Sequence, residues 1–282
     1  MATYYWIGGT GTWNAANTAN WSLSSGGTTA GVAPTTGDNI VIDGHASGLN
    51  GGTITTDADI AGIAFGSLTC GTMNGTLTIN NHNTSFASVS TSGAGTRTIN
   101  FGSGTMRLTG LTGAIWDNGT RTAQTFNEDT STISIEASST PTGTRTFSAG
   151  ATETYYNIAV INSAHNGQVI NFTPTGAIWT MNNFTLSNVG RVQFPGGTIT
   201  VNGDFTIAGT SSSPMLLHAP GGTNTTFALG AGNDQSISWA ALNQITATGS
   251  TITATNSFDL GANGANVTIT PPQVNFSRVI GG

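Results

Sequence analysis

The chain has 282 residues, only 6% of them charged and 37% hydrophobic, with 40 glycines and a formal net charge of −6. Low charge with moderate hydrophobicity excludes a disordered chain, and twelve acids against six arginines with no lysine exclude a general nucleic-acid-binding surface. A lone cysteine, Cys70, excludes an internal disulfide and reads as a small buried filler, and no apolar run approaches the roughly 20 residues of a membrane-spanning helix.

Residues 1–43 stand apart from the rest of the chain. The opening Met1–Gly9 has no basic, apolar and small-residue series of a signal peptide, so synthesis in the cytoplasm is expected. Trp6, Trp13 and Trp21 come next, then Pro34, Asp38 and the apolar Ile40–Ile42. The segment predicts an N-terminal cap, because the end of a stacked fold exposes unpaired N–H and C=O groups and an open core.

Residues 44–270 carry a repeat. Gly-Thr-Arg-Thr recurs at Gly95–Thr98, Gly119–Thr122 and Gly143–Thr146, at equal intervals. Looser versions at Gly52, Gly75, Gly167 and Gly190 extend the series at similar or slightly shorter steps. Segments such as Thr76–Ile79, Thr98–Phe101, Ser131–Ile135 and Thr198–Val201 alternate apolar with Thr, Ser or Asn, the period of a half-buried strand. Gly and Asn pairs between them mark corners. A unit this short cannot bury its apolar face alone, so the pattern predicts an all-β, single-stranded parallel β-helix of about 24 residues per coil, right-handed by the crossover rule. About nine coils spaced by ~4.8 Å make a rod on the order of 45 Å long. Pro271 and Pro272 deny the ladder two donors, and residues 271–282, with a last strand at Gln273–Ile280, form a C-terminal cap or tail. The whole reads as one structural domain.

The most specific polar feature is the series Arg97, Arg121 and Arg145, one per repeat. Stacked in register, three guanidinium groups would lie ~4.8 Å apart at their backbones and would need anions. Internal acids (Glu128, Asp129, Glu136 or Glu153) could supply them, as could an acidic glycan or a neighbouring subunit. The internal or inter-subunit ladder is the preferred reading. By parity, Arg97 shares a face with Ile99, and Arg145 with Phe147, so the arginines are expected at corners outside the regular strands.

Other chemistry is sparse. Asp57, Asp59, Asp117, Glu128, Asp129 and Glu136 are the candidate carboxylates, and Asp129 and Glu153 lie one repeat apart and are able to stack. Glycoside cleavage needs two facing carboxyls, but few acids, four histidines and no lysine favour a non-enzymatic chain. His45, His82, His165 and His218 lack ligand spacing, so neither a metal nor a cofactor is expected. Trp116 and Trp179 sit in matching Gly-Ala-Ile-Trp contexts, read as core or turn packing in preference to a sugar platform.

The opening Tyr5–Trp13, with Asn20, Trp21, Pro34, Asp38 and Val41–Asp43, resembles the start of parallel β-helix proteins of tailed-bacteriophage virions and of some secreted bacterial adhesins. The stretch Ile252–Gly264 is similar to the last coils of the same group. The resemblance covers the two ends of the chain and concerns structural motifs. It implies a homotrimeric structural protein on the virion exterior, a capsid decoration protein or accessory head or tail fibre, contacting other capsid or tail proteins. The alternatives are a glycan-binding or glycan-cleaving tailspike that meets a host surface glycan, and a bacterial surface adhesin. No nucleic acid or membrane partner is implied.

Overall fold

The computed structural model describes residues 1–46, 48–119, 121–137, 140–161, 169–219, 222–232 and 235–273, and of Arg121 and Thr122 the main chain. Apart from one 3-10 turn at Ala58–Ile60, the named elements are strands, most of them alternating buried aliphatic or aromatic residues with Thr, Ser or Asn. Such sequences suit a pleated surface with one wet and one dry side. Except for Thr3–Trp6 against Trp21–Ser22, every named strand pairing is parallel. The fold is all-β, mostly parallel and solenoid-like.

The chain visits three faces in turn, and on the first two each visit stacks on the previous one. On the first face Phe65, Phe86, Leu108, Ile135, Val160, Leu186, Ile207, Ile237 and Ala254 follow one another in register, all buried. On the second, Ile40, Leu68, Val89, Trp116, Phe147 and Phe172 do the same. The third begins with Ile54, Leu77, Ile99 and Phe126, and a separate run holds Tyr155, Met181, Val201 and Leu229. Like therefore sits on like, and the interior is a set of apolar columns.

The coils are not of the uniform length expected. Ile207, Ile237 and Ala254 are successive members of one column, yet the first step along the chain is nearly twice the second. Strand registers are held by the inward columns, so corners absorb the difference in length. Asn80, Asn188 and Asn256 take positive φ, a conformation that Asn tolerates better than most residues. The expected final strand 273–280 lies outside the described residues except for Gln273.

Aromatic rings continue the columns across coils. Trp116 stacks on Phe147 at 5.5 Å with an interplanar angle of 10°, and edge contacts, with a second stacked pair of Phe172 on Phe194, carry the chain of rings through Trp179 and Phe194 to Phe227. Trp116 and Trp179 are both buried in this interior. Trp6, Trp13 and Trp21 form the first part of the core: Trp21 lies edge-on to Trp6 at 5.1 Å and to Trp13 at 5.5 Å, and Trp13 reaches Phe65 at 5.4 Å. Asp38 fastens the start of the chain. It accepts from the Ala2 N–H at 2.7 Å and from the Thr35 N–H and hydroxyl at 3.1 and 3.0 Å. Burial pulls its carboxyl up, but these hydrogen bonds outweigh that effect and leave it below the ordinary carboxylate value.

Deleting residues 1–43 removes the partners of the strands Asn50–Thr56 and Ala64–Thr69 and uncovers Phe65. The truncated chain is expected in the insoluble or fibrous fraction. A monodisperse shorter rod in light scattering would show that the three tryptophans do not act as a cap.

Candidate functional site

The ladder of Arg97, Arg121 and Arg145 does not form. Arg97 stands in register with Gly75 below and Gln124 above, while Arg121 stands opposite Gly93. The step in register from Arg97 to Gln124 is longer than the step from one motif to the next, so the second copy falls short of the first, and a register shift between Arg121 and Ala123 adds to the offset. Arg145 belongs to a different face, between Gly113 and Ile170. The Gly-Thr-Arg-Thr repeat is thus a repeat of sequence without structural equivalence. Its copies lie closer along the chain than Arg97 and Gln124, which are the true neighbours in register. The Arg121 side chain lies outside the described residues.

Arg97 and Arg145 also turn inward, contrary to the expected corner placement, with 2% and 0% of their surfaces exposed. Strand parity holds, and the charge is accommodated by backbone carbonyls. The Arg97 guanidinium donates to the carbonyls of Gly71 at 2.9 Å and Gly95 at 2.6 Å, to Gly93 from both terminal nitrogens at 3.4 Å, and to Thr91. The glycines make this corner possible. A Cβ at Gly71, Gly93 or Gly95 would collide with a backbone oxygen of a neighbouring coil. Arg145 donates to the Glu136 carbonyl at 2.9 Å, and burial pushes its guanidinium down to about 10. Cys70 lies close enough to Arg97 to feel its charge, yet burial pushes the thiol up to about 12, an inert state.

Most candidate carboxylates are tied into turns. Asp57 accepts from the Ala58 N–H, and Asp59 accepts from the Ala15 N–H at 2.9 Å, joining the first segment to the stack. Asp117 accepts from the Ser90 hydroxyl and the Gly119 N–H, each at 3.3 Å. Glu136 accepts from Ser134 and pairs with Arg107 at 3.4 Å on the surface, a contact worth about 0–1 kcal/mol. His218 Nε2 accepts from Arg191 Nε at 2.8 Å, which puts its proton on Nδ1, facing the Ala219 carbonyl at 3.2 Å. Burial and the Arg191 charge hold this imidazole below its ordinary value. His165 lies outside the described residues. Among the described residues no three His, Cys, Asp or Glu side chains gather as a metal site.

The remaining acids meet at one place. A groove of about 350 Å³ is lined by Gln124, Thr125, Phe126, Glu128, Thr152, Glu153 and Thr154. Beside it, Asn100, Asn127, Glu128 and Asp129 border a hollow of about 500 Å³. Glu128, Asp129 and Glu153, singled out from the sequence, thus converge here, with Glu128 shared by both spaces. Sequence reasoning missed Gln124, Phe126 and the amide ladder beneath them. In that ladder Asn127 donates to Asn100 at 2.7 Å and Asn100 to Thr78 at 3.0 Å. The only trace in the sequence was Asn closing both strands, at Asn100 and Asn127.

Arg97→Met should strip donors from four carbonyls at a closed corner and lower stability by about 3–5 kcal/mol, read as a large fall in melting temperature. A change within about 1 kcal/mol would mean that the carbonyl cage is not a stabilising element. A lowered imidazole pKa stabilises the fold while His218 is neutral, and as pH falls below ~6.5 the unfolded chain takes the proton first. Melting temperature should therefore drop between pH 7 and pH 5, with a shallower slope in His218→Gln; parallel slopes would contradict this. The chain matches no family model, no curated protein and no solved structure.

Proposed function

We propose that the chain is a right-handed, single-stranded parallel β-helix, capped at both ends, that serves as a non-enzymatic structural protein on the exterior of a bacteriophage virion, as a capsid decoration protein or an accessory head or tail fibre. The observation that carries this reading is the continuity of the core: nine buried positions from Phe65 to Ala254 stack in register, so the chain behaves as one stiff element. Right-handedness follows from the strong bias of parallel crossovers. A non-enzymatic role is supported by Asp57, Asp59, Asp117 and Glu136, which are engaged in turns or a surface pair. The exterior is mostly Thr, Ser and Asn with few charges, which suits close lateral packing against copies of itself and other virion proteins.

Cyclic association closes such contacts without producing open filaments, and a homotrimer is the expected state. Light scattering of the purified chain should return three times 28.5 kDa, and electron microscopy of intact particles should place it on the outer surface. A stable 28.5 kDa monomer, both isolated and in the particle, would overturn the trimer, and absence from the particle would overturn the virion role.

A further inference from the structure

The first and second faces run without interruption through the middle of the stack, but the third does not. Arg121–Asn127 pairs with Gly93–Asn100 and, among the described residues, with no strand on its other side. The third-face run that comes after it, 152–155, pairs onward with 178–181. The groove lined by Gln124, Phe126 and Glu153 lies between these two strands. The other faces continue across this level through the pairs Leu108 to Ile135 and Trp116 to Phe147, so the opening is a local parting of two strands and has no room for a whole inserted strand.

The chemistry of the opening is one-sided. Gln124 gives its amide N–H to the Thr91 hydroxyl at 3.1 Å, and its buried Oε1 has no donor among the described residues. Asn127 spends an N–H on Asn100, leaving its own carbonyl oxygen at the top of the amide ladder with no coil paired above it among the described residues. Glu128 adds a half-buried carboxylate with no ion pair among the described residues. The place is rich in acceptors. Phe126 supplies an apolar surface: on this face its column-mates Ile54, Leu77 and Ile99 are buried, but Phe126 itself is half-buried and sits against Phe101 and Trp116 at 5.4 and 5.9 Å.

A ligand that fits must carry many donors, no negative charge and one apolar face. A sugar ring has all three: hydroxyls at its edge, no charge, and C–H groups on its faces. The volume of about 350 Å³ falls in the range of small-molecule sites. An acidic sugar would meet Glu128 and Asp129, and a divalent cation would find no cluster of three His, Cys, Asp or Glu side chains among the described residues. We infer that the groove between Arg121–Asn127 and the run 152–155 binds a neutral saccharide unit, with Glu128 accepting from its hydroxyls and Phe126 against its apolar face. This binding role goes beyond the structural one and does not depend on it.

The test is amide NMR titration of the full chain with maltotetraose, mannotetraose and chitotetraose, with a hyaluronan tetrasaccharide and Ca²⁺ as controls. At least one neutral oligosaccharide should shift the amides of 124–128 and 152–154, while hyaluronan leaves them in place. Glu128→Ala should weaken that binding about tenfold, the loss of one hydrogen bond to a charged group, with the melting temperature unchanged. Gln124→Ala provides a second reading on the same wall should Glu128→Ala perturb the fold. The inference is overturned if none of the three neutral oligosaccharides shifts these amides, if Ca²⁺ shifts them and the sugars do not, or if neither substitution changes the affinity.

Discussion

Parallel pairing between successive coils is the constraint on which everything else rests. Each strand must satisfy its N–H and C=O groups with the coils above and below, spaced by ~4.8 Å, so a residue is always neighboured by its counterparts in the adjacent coils. This explains why the interior consists of columns, with Phe65 under Phe86 and Phe147 under Phe172. It also explains why the ends need special treatment. A stack has an open pair of edges, and near the first one three buried tryptophans pack together beside the antiparallel pair Thr3–Trp6 and Trp21–Ser22.

The same constraint governs the buried charges. A guanidinium repeated in register would place like charges against each other, and the fold avoids it by setting Gln124 over Arg97 and Ile170 over Arg145. Arg97 is then enclosed by carbonyls that a corner turns inward, in a space kept open by glycines. The role of the arginine is local: it ties strand, corner and the preceding coil together at one point.

Where pairing lapses, function has room. Gln124 and Phe126, both half-buried, line a groove together with Glu128 and Glu153. A stack held by inward columns offers few places where inward-facing residues meet solvent. The parting of the third face is such a place, and it lies in the middle of the stack, away from both ends.

Local chemistry in the sequence determined the strand content, the inward and outward alternation, the Asn and Gly corners, the burial of Trp6, Trp13, Trp21, Trp116 and Trp179, and the inert Cys70. These properties depend on neighbours one or two positions away, which a single sequence displays directly. Three of the four acids expected to answer the arginines, Glu128, Asp129 and Glu153, were also visible as candidates, and they share one region. Only the tertiary structure decided which coils are short and which are long, that three identical tetrapeptides occupy inequivalent places, and that a groove opens between Asn127 and Thr152. Register is settled by contacts between residues far apart along the chain, and a one-step slip reverses every side chain. An even motif spacing says nothing about the corner insertions that set it, so the arginine ladder was legible as a pattern and absent as a structure.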